Sequence, residues 1–243
     1  MKTGKSSTYA EFLISDFVSL KTTTSTHIFK VHKALLDIKC KSITPAFNGN
    51  YTESQDSIYT FSDTSHETLA RFIEWAYRAD YTEPTEDTDG DTSTLPSDDE
   101  EWSTRPQDTT TGDQSRPVHH SLLAHMDLYI FSDVYIIPEL KALAFTKIQT
   151  GLRAMGRPET PEQCLAVIAL LRLASSKVPL DGSDILRWLA HFAAYNFDIL
   201  RHQPSFHDTL KLSPDLTWEI VGRLKPAVDP PWPRTCYSKN RYH

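Results

Sequence analysis

The sequence is poor in glycine and cysteine. With 8 glycines among 243 residues, it offers few places where backbone can closely approach a phosphate, and the glycine-rich phosphate loop, the G-x-S-x-G elbow and the H-E-x-x-H helix are missing. Its 3 cysteines, Cys40, Cys164 and Cys236, are far apart and odd in number, so reduced thiols are expected rather than a disulfide framework. These absences argue against nucleotide enzymes, zinc hydrolases of that type and disulfide-stabilised folds.

Long apolar runs and basic clusters are missing as well. No window approaches the ~18 consecutive apolar residues of a membrane-spanning helix, and residues 1–8 lack the apolar run of a signal peptide. Lys and Arg are scattered, without zinc-finger spacing or a basic stripe. The expectations are therefore a cytoplasmic or nuclear protein with no nucleic-acid and no membrane partner.

Histidines are frequent, but their spacing does not predict a metal site. His120 and His125 do not share a helical face, and no C-x-x-C pair exists to complete a zinc site. His32 follows a predicted strand without a partner nucleophile, so a packed or hydrogen-bonded structural histidine is the favoured interpretation. We therefore expect no catalytic residue, no cofactor and no metal.

Negative charge is concentrated in one segment. Between Glu83 and Arg116 there are 11 acidic residues and 2 arginines, giving nine net negative charges, whereas the whole chain carries −7. The rest of the chain therefore carries about +2. Because the segment is rich in Thr, Ser and Pro and almost free of apolar residues, it is predicted to be a disordered acidic insertion at about 83–117.

The region before the insertion has an alternating pattern typical of strands. Residues 16–20 and 28–32 each alternate apolar with polar residues, which predicts a β-hairpin with one buried face. Two short helical turns at 34–38 and 42–47 come next, the second with a first-turn proline. A third strand is predicted at 57–61, so the region combines a small sheet with helices.

A capped helix follows the third strand. Thr64-Ser65-His66-Glu67 has the S/T-x-x-E spacing of a capping box. The apolar stripe expected to follow consists of Leu69, Phe72, Ile73, Ala76 and Tyr77.

Beyond residue 153 the pattern is helical. Thr160, Pro161 and Gln163 supply a cap, a first-turn proline and a box glutamine for one helix. A second helix is predicted from about Ser183, with a stripe formed by Ile185, Leu189, Phe192, Ala193, Asn196 and Leu200. A third begins at Ser213-Pro214 and carries Trp218, Val221 and Leu224.

In order and in residues, the chain resembles the BTB/POZ domain, in the version common in fungal proteins. The segments that carry the resemblance are Ser15-Asp16-Phe17, Phe29-x-Val31-His32-Lys33-x-x-Leu36, residues 72–77 and residues 128–141. Phe29, Val31 and His32 match the family signature. The resemblance implies an α+β fold, a small three-stranded sheet flanked by a cluster of α-helices, followed by an all-α extension similar to a shortened BACK region.

The domain organisation follows from this resemblance and the shifts in composition. We expect a BTB/POZ domain at 1–153, interrupted by the acidic insertion. A helical extension is expected at 154–228 and an extended tail at 229–243.

The resemblance implies a protein partner and, as one form of it, a homodimer. Asp16 and Lys33 correspond to an opposite-charge pair near the family's dimer interface. The apolar candidates for the same contact are Phe12, Leu13, Leu35 and Leu36. The implied function is a protein–protein interaction module that mediates homo- or hetero-association.

The alternative is a substrate adaptor for a cullin-type ubiquitin ligase. Such adaptors of the family present an apolar residue, any residue and Glu before the third strand, and Tyr51-Thr52-Glu53 matches that spacing. Phe47 and Tyr51 would be the apolar anchors of a cullin contact, with Glu53 as its acid. Both functions stay open at this point, and neither is enzymatic.

Overall fold

The computed structural model describes residues 14–48, 56–83, 121–179 and 183–224. It divides into two compact units, one ending at Gly156 and the other beginning at Arg157. Apart from Glu83, the predicted acidic insertion lies outside the described residues, and so does the predicted tail at 229–243. The α+β class, with a small three-stranded sheet flanked by helices and an all-α extension, is confirmed.

The sheet of the first unit consists of β1 (Phe17–Thr22), β2 (Ile28–His32) and β3 (Ile58–Phe61), in the order β2-β1-β3. β1 is antiparallel to β2 and parallel to β3, so the predicted hairpin is confirmed. Side chains alternate along a strand, so the sheet has an inner and an outward face. Val18, Leu20 and Val31 are buried on the inner face.

Five described helices complete the first unit. They are α1 (Lys33–Lys39), α2 (Thr44–Asn48), α3 (His66–Arg78), α4 (Ser121–Val134) and α5 (Pro138–Met155). The ring of Phe131 on α4 lies 5.7 Å from that of Phe61 on β3 and 4.9 Å from that of Phe72 on α3. All three side chains are buried, so one aromatic cluster joins the sheet to two helices.

Helix α3 differs in two details from its prediction. The N-cap is Ser65, whose Oγ accepts a hydrogen bond from the Thr68 amide at 3.1 Å, so the box predicted at Thr64 is wrong by one residue. Trp75 is 2% exposed, whereas Tyr77, predicted to be in the stripe, is exposed. The buried face is therefore rotated toward Trp75 because that face packs on the sheet and on α1.

The segment after α3 is fixed by a carboxylate. The amide and the hydroxyl of Thr82 donate to the two oxygens of Glu74 at 2.8 and 2.6 Å. These hydrogen bonds, that of the amide foremost, hold the pKa of Glu74 below its usual range. Ala79 caps α3 in the left-handed region at φ 59°, so the chain turns sharply before Thr82.

A second group of contacts holds the two sides of the insertion together. The hydroxyl of buried Tyr81 lies 2.9 Å from Nδ1 of buried His125, and His125 Nε2 lies 3.7 Å from Glu83 Oε1. Lys147 Nζ donates to the Tyr81 carbonyl at 2.8 Å and pairs with Asp80 at 2.8 Å. The chain at the start of the predicted insertion, up to Glu83, therefore contacts the first turns of α4.

The second unit is helical throughout its described part. Its helices are α6 (Pro161–Lys177), α7 (Asp184–Tyr195), α8 (Phe197–Leu200), α9 (Pro204–Leu212) and α10 (Pro214–Val221). The capping box of Thr160 and Gln163 is confirmed. Helix α9 was not expected, although Pro204 at its first turn and the buried Phe206 are the signals that could have predicted it.

The predicted stripe of the last helix is wrong. Leu216 and Ile220 are buried on α10, while Trp218 is 79% exposed and Val221 is also exposed. Leu216 and Ile220 are four residues apart and form the side that packs on α7. Along α7 the prediction fits better, since Ile185, Leu189 and Ala193 are buried and only Phe192 of that helix's predicted stripe is half-buried.

Candidate interaction surface

The residues predicted for a dimer interface lie where β1 begins and β2 ends. The hairpin brings Asp16 and Lys33 together through their backbones, with the Lys33 amide donating to the Asp16 carbonyl at 2.8 Å. Their side chains diverge, because Lys33 Nζ donates to Asn48 Oδ1 at 2.7 Å while Asp16 is exposed. Within the described part of a single chain they form no ion pair, so an opposite-charge pair at a dimer interface stays a prediction.

The apolar candidates for the same contact fall into two groups. Leu35 and Leu36 of α1 are buried within the chain, so they stabilise its own core and leave little surface for a second copy. Phe12 and Leu13 lie outside the described residues. A contact between these residues and a partner stays a prediction.

Two other apolar side chains are exposed at this position. Ile14 is 83% and Phe17 is 56% exposed, on either side of Asp16. Sequence reasoning did not select them, because Phe17 was assigned to a strand with one buried face. The alternation of apolar and polar residues along β1 could have identified Phe17, because burial of Val18 and Leu20 puts Phe17 on the outward face.

The three signature residues have different structural roles. Val31 of β2 is fully buried on the inner face of the sheet. Phe29 stacks on His66, with the two ring centroids 4.8 Å apart. His32 Nδ1 lies 2.8 Å from the Tyr77 hydroxyl, and its ring lies 4.3 Å from that of Phe17. His32 therefore links β2 to α3 through a hydrogen bond and ring packing.

The predicted cullin contact is described at only one of its three residues. Phe47 on α2 is buried, with its ring 6.2 Å from that of Tyr59 on β3. Tyr51 and Glu53 lie outside the described residues. As an anchor for a partner, Phe47 would have little surface to offer in this conformation.

The turn between α4 and α5 exposes two aliphatic side chains. Val134 is largely exposed and Ile136 is 78% exposed. The Ile137 amide donates to the Ser132 carbonyl at 2.8 Å, and the Ile136 amide donates to the Asp133 carbonyl at 3.3 Å. This is a Schellman motif, in which the left-handed residue is most often glycine.

Ile136 takes that glycine position, at φ 54°. A β-branched residue in the left-handed region is strained, typically by about 1–3 kcal/mol. The Ser42 hydroxyl donates to the Tyr135 carbonyl at 2.6 Å, which places the turn beside the α1–α2 connection. A strained, exposed, aliphatic side chain is therefore displayed next to the segment that leads to Tyr51 and Glu53.

The thiols show no sign of activation. Burial raises the pKa of Cys40, where hydrogen bonds from Ser42 and Ile43 offset it only partly, and burial also raises that of Cys164. Both are free and buried. Cys236 lies outside the described residues.

The described residues contain neither a cluster of metal ligands nor a membrane-spanning helix. Nowhere among them do three or more His, Cys, Asp or Glu side chains gather as metal ligands would. None of their helices combines the length and apolar character needed to cross a membrane.

Comparison with known proteins gives a distant similarity. No protein-family model matches the chain. The Rho-related BTB domain-containing protein 3 of Homo sapiens and that of Mus musculus are each 26% identical to it over 178 residues, which is 73% of this chain and 23% of each relative. The chain thus spans less than a quarter of the length of the curated relatives it matches. Together with the three-stranded sheet and its helices, this similarity supports a BTB domain in the chain.

Proposed function

We propose that the chain is a protein–protein interaction module that self-associates or bridges partners. The observation that carries this proposal is the exposure of Ile14 and Phe17 beside Asp16, where the BTB resemblance expects a dimer contact. Exposed aliphatic and aromatic side chains gain free energy when a partner removes them from water, about 25 cal/mol per Å² of apolar surface. The distant similarity to BTB domain-containing proteins supports the same role.

Self-association is tested by sedimentation velocity of the full chain over a range of concentrations. Ile14→Ser is expected to shift the sedimentation coefficient toward that of a monomer. The matched control is Val221→Ser, which removes another exposed aliphatic side chain from the second unit. A wild-type chain that stays monomeric throughout, or equal behaviour of both variants, would refute self-association through this surface.

The adaptor role is the second candidate, and the α4–α5 turn is the observation that favours it. Ile136 occupies a strained backbone position with its side chain in solvent. Glycine would relieve the strain, so a side chain retained there suggests a contact with a partner. We propose that Val134 and Ile136 supplement the Tyr51-Thr52-Glu53 motif in docking a cullin scaffold.

The matching experiment is a pull-down with purified cullin scaffold. Ile136→Gly is expected to raise the free energy of unfolding by about 1 kcal/mol and to weaken retention of the cullin. Tyr51→Ala and Glu53→Ala should also weaken it, while Tyr195→Ala, which removes an exposed tyrosine from the second unit, should not. No retention of cullin by a well-folded wild-type chain would reject the adaptor role and leave the interaction module.

Catalysis and location complete the proposal. We propose a non-enzymatic protein of the cytosol or nucleus, supported by two free, buried cysteines whose thiol pKa is raised by burial. Turnover in hydrolase, transferase or redox assays that His32→Ala abolishes would contradict the first statement. Localisation of a fluorescent fusion protein to secretory compartments would contradict the proposed cytosolic or nuclear location.

A further inference from the structure

The outward face of the β-sheet combines apolar and basic residues. Strand alternation and the register of pairing assign eight side chains to it: Phe17, Ser19, Lys21, Ile28, Lys30, His32, Ile58 and Thr60. Phe17 and Ile28 are each more than half exposed, and Lys30 and Thr60 are exposed too, so the described helices of the unit leave much of this face uncovered. At one end Tyr77 of α3 contacts His32. None of the eight positions carries a carboxylate.

Two lysines lie close together on this face. The register places Lys21 opposite Ile28 and Ser19 opposite Lys30, so the lysines occupy diagonal positions on neighbouring strands. Diagonal neighbours have Cα atoms roughly 7–8 Å apart. Neither lysine forms an ion pair or a side-chain hydrogen bond with any residue that the structure describes. Their mutual repulsion is therefore uncompensated within the described fold and would be relieved by an anionic group placed between them.

Apolar side chains lie at both ends of this face. At one end Phe17 packs on His32, with Tyr77 next to them, and at the other end lies Ile28. From Phe17 to Lys21 the strand advances about 13 Å at ~3.3 Å per residue. This length suits an extended peptide that carries an acidic residue flanked at a spacing of two residues by apolar ones.

A nucleic acid fits the same face less well. Proteins that bind double-stranded DNA commonly neutralise several phosphates, on the order of 6–10, and this face supplies two lysines. Its exposed apolar side chains match apolar side chains of a peptide better than they match a phosphate backbone.

We propose that the outward sheet face binds an extended acidic peptide of a partner protein. A carboxylate of the peptide lies between Lys21 and Lys30, and its apolar side chains pack on Phe17 and Ile28. This inference rests on the proposed interaction function and names the class of partner. Its charged centre is separate from Ile14, the residue that tests self-association.

The test is an NMR titration of the isotope-labelled full chain with a synthetic peptide, Leu-Ser-Glu-Ser-Leu, and with a second peptide in which Gln replaces Glu. The acidic peptide is expected to shift the amide signals of β1 and β2. Lys21→Glu and Lys30→Glu should each weaken its affinity roughly tenfold or more, and Lys30→Gln by less. Raising NaCl from about 0.05 to about 0.5 M should weaken it as well.

The matched control is Lys41→Glu, which makes the same charge change at an exposed lysine between α1 and α2. It should leave the affinity within about twofold of wild type, because screened charges outside the site contribute little. Equal binding of both peptides, or equal loss in Lys41→Glu and Lys30→Glu, would overturn the proposal. So would binding to phosphatidylserine vesicles that Lys30→Glu abolishes, in the absence of peptide binding.

Sedimentation of the same samples separates this inference from the proposed function. A self-associating chain that does not bind the peptide would overturn the peptide site alone. A monomeric chain that binds it would overturn self-association alone.

Discussion

The two compact units bury different kinds of side chain. In the first unit, rings from β3, α3 and α4 meet in one cluster, Phe61, Phe72 and Phe131, although these residues are far apart in the sequence. In the second unit, mostly aliphatic residues and alanines pack between helices, as along α7. A ring in the first unit therefore joins a strand to two helices, whereas the described side chains of the second unit join helices only to one another, as α10 to α7.

The largest expected effect comes from removing one buried ring in each unit. Phe61 has the rings of Tyr59, Phe131 and Tyr135 within 5.7 Å, whereas Phe206 has Phe197 at 5.9 Å. Both alanine variants should lose about 3–5 kcal/mol of unfolding free energy, with Phe61→Ala losing more because of its additional ring contacts. Urea unfolding combined with regional hydrogen exchange measures both. A greater loss in Phe206→Ala would contradict the larger role assigned to the aromatic cluster of the first unit.

The second test uses two tryptophans of opposite exposure. Trp75 of the first unit is 2% exposed and Trp218 of the second is 79% exposed. Trp75→Ala should lose about 3–5 kcal/mol, while Trp218→Ala should stay within about 0.5 kcal/mol of wild type. The same urea titration measures both, with the variants' circular dichroism as the folding control. A large loss in Trp218→Ala would mean that its solvent-facing position on α10 is wrong.

A smaller effect is expected at the helix caps. Ser65 Oγ accepts from the Thr68 amide at 3.1 Å in the first unit, and Thr160 Oγ1 accepts from the Gln163 amide at 3.3 Å in the second. Each alanine variant should lose about 1 kcal/mol. Hydrogen exchange should accelerate in the first turn of α3 in one variant and of α6 in the other. Thr64→Ala is the control for the first unit, and a loss there that exceeds that of Ser65→Ala would restore the cap predicted at Thr64.

The smallest effect concerns two carboxyls whose pKa is lowered. The amide and hydroxyl of Thr82 lower the pKa of Glu74, and backbone and Thr160 hydrogen bonds lower that of Glu162. Each contribution to stability is present above the ordinary value of 4.5 and is lost as the pH falls through the lower pKa of the folded state. Carboxyl NMR titrations should show Thr82→Val raising the pKa of Glu74 without changing that of Glu162. An unchanged pKa of Glu74 would contradict its assigned partners.

The sequence predicted elements better than it predicted which face of each is buried. The strand at 28–32 has the predicted bounds, because alternation and turn residues are local signals. On α10, however, the predicted stripe contained Trp218, Val221 and Leu224, whereas the buried residues of that helix are Leu216 and Ile220. In a helix of 8 residues two apolar stripes are nearly equivalent, and only tertiary packing selects one.

At the candidate site, too, the sequence predicted which elements meet but not where their side chains point. The adjacency of Asp16 and Lys33 follows from the hairpin, which the sequence predicts. The direction of the Lys33 side chain does not, since Asn48 lies on another element and accepts its hydrogen bond. The strain at Ile136 could not be predicted from the sequence either, because a Schellman motif is usually recognised by a glycine at the left-handed position.

The contacts of Tyr81 and Glu83 with His125 have a consequence for the chain's tolerance of added sequence. Since the described residues on the two sides of the predicted insertion contact each other in the folded unit, a flexible segment placed between them would cost closure entropy that grows only with the logarithm of its length. Doubling that length changes the free energy by about 0.6 kcal/mol. The junction is therefore a position at which evolution or an experimenter can exchange one regulatory sequence, epitope or reporter for another while the sheet and its helices keep their structure.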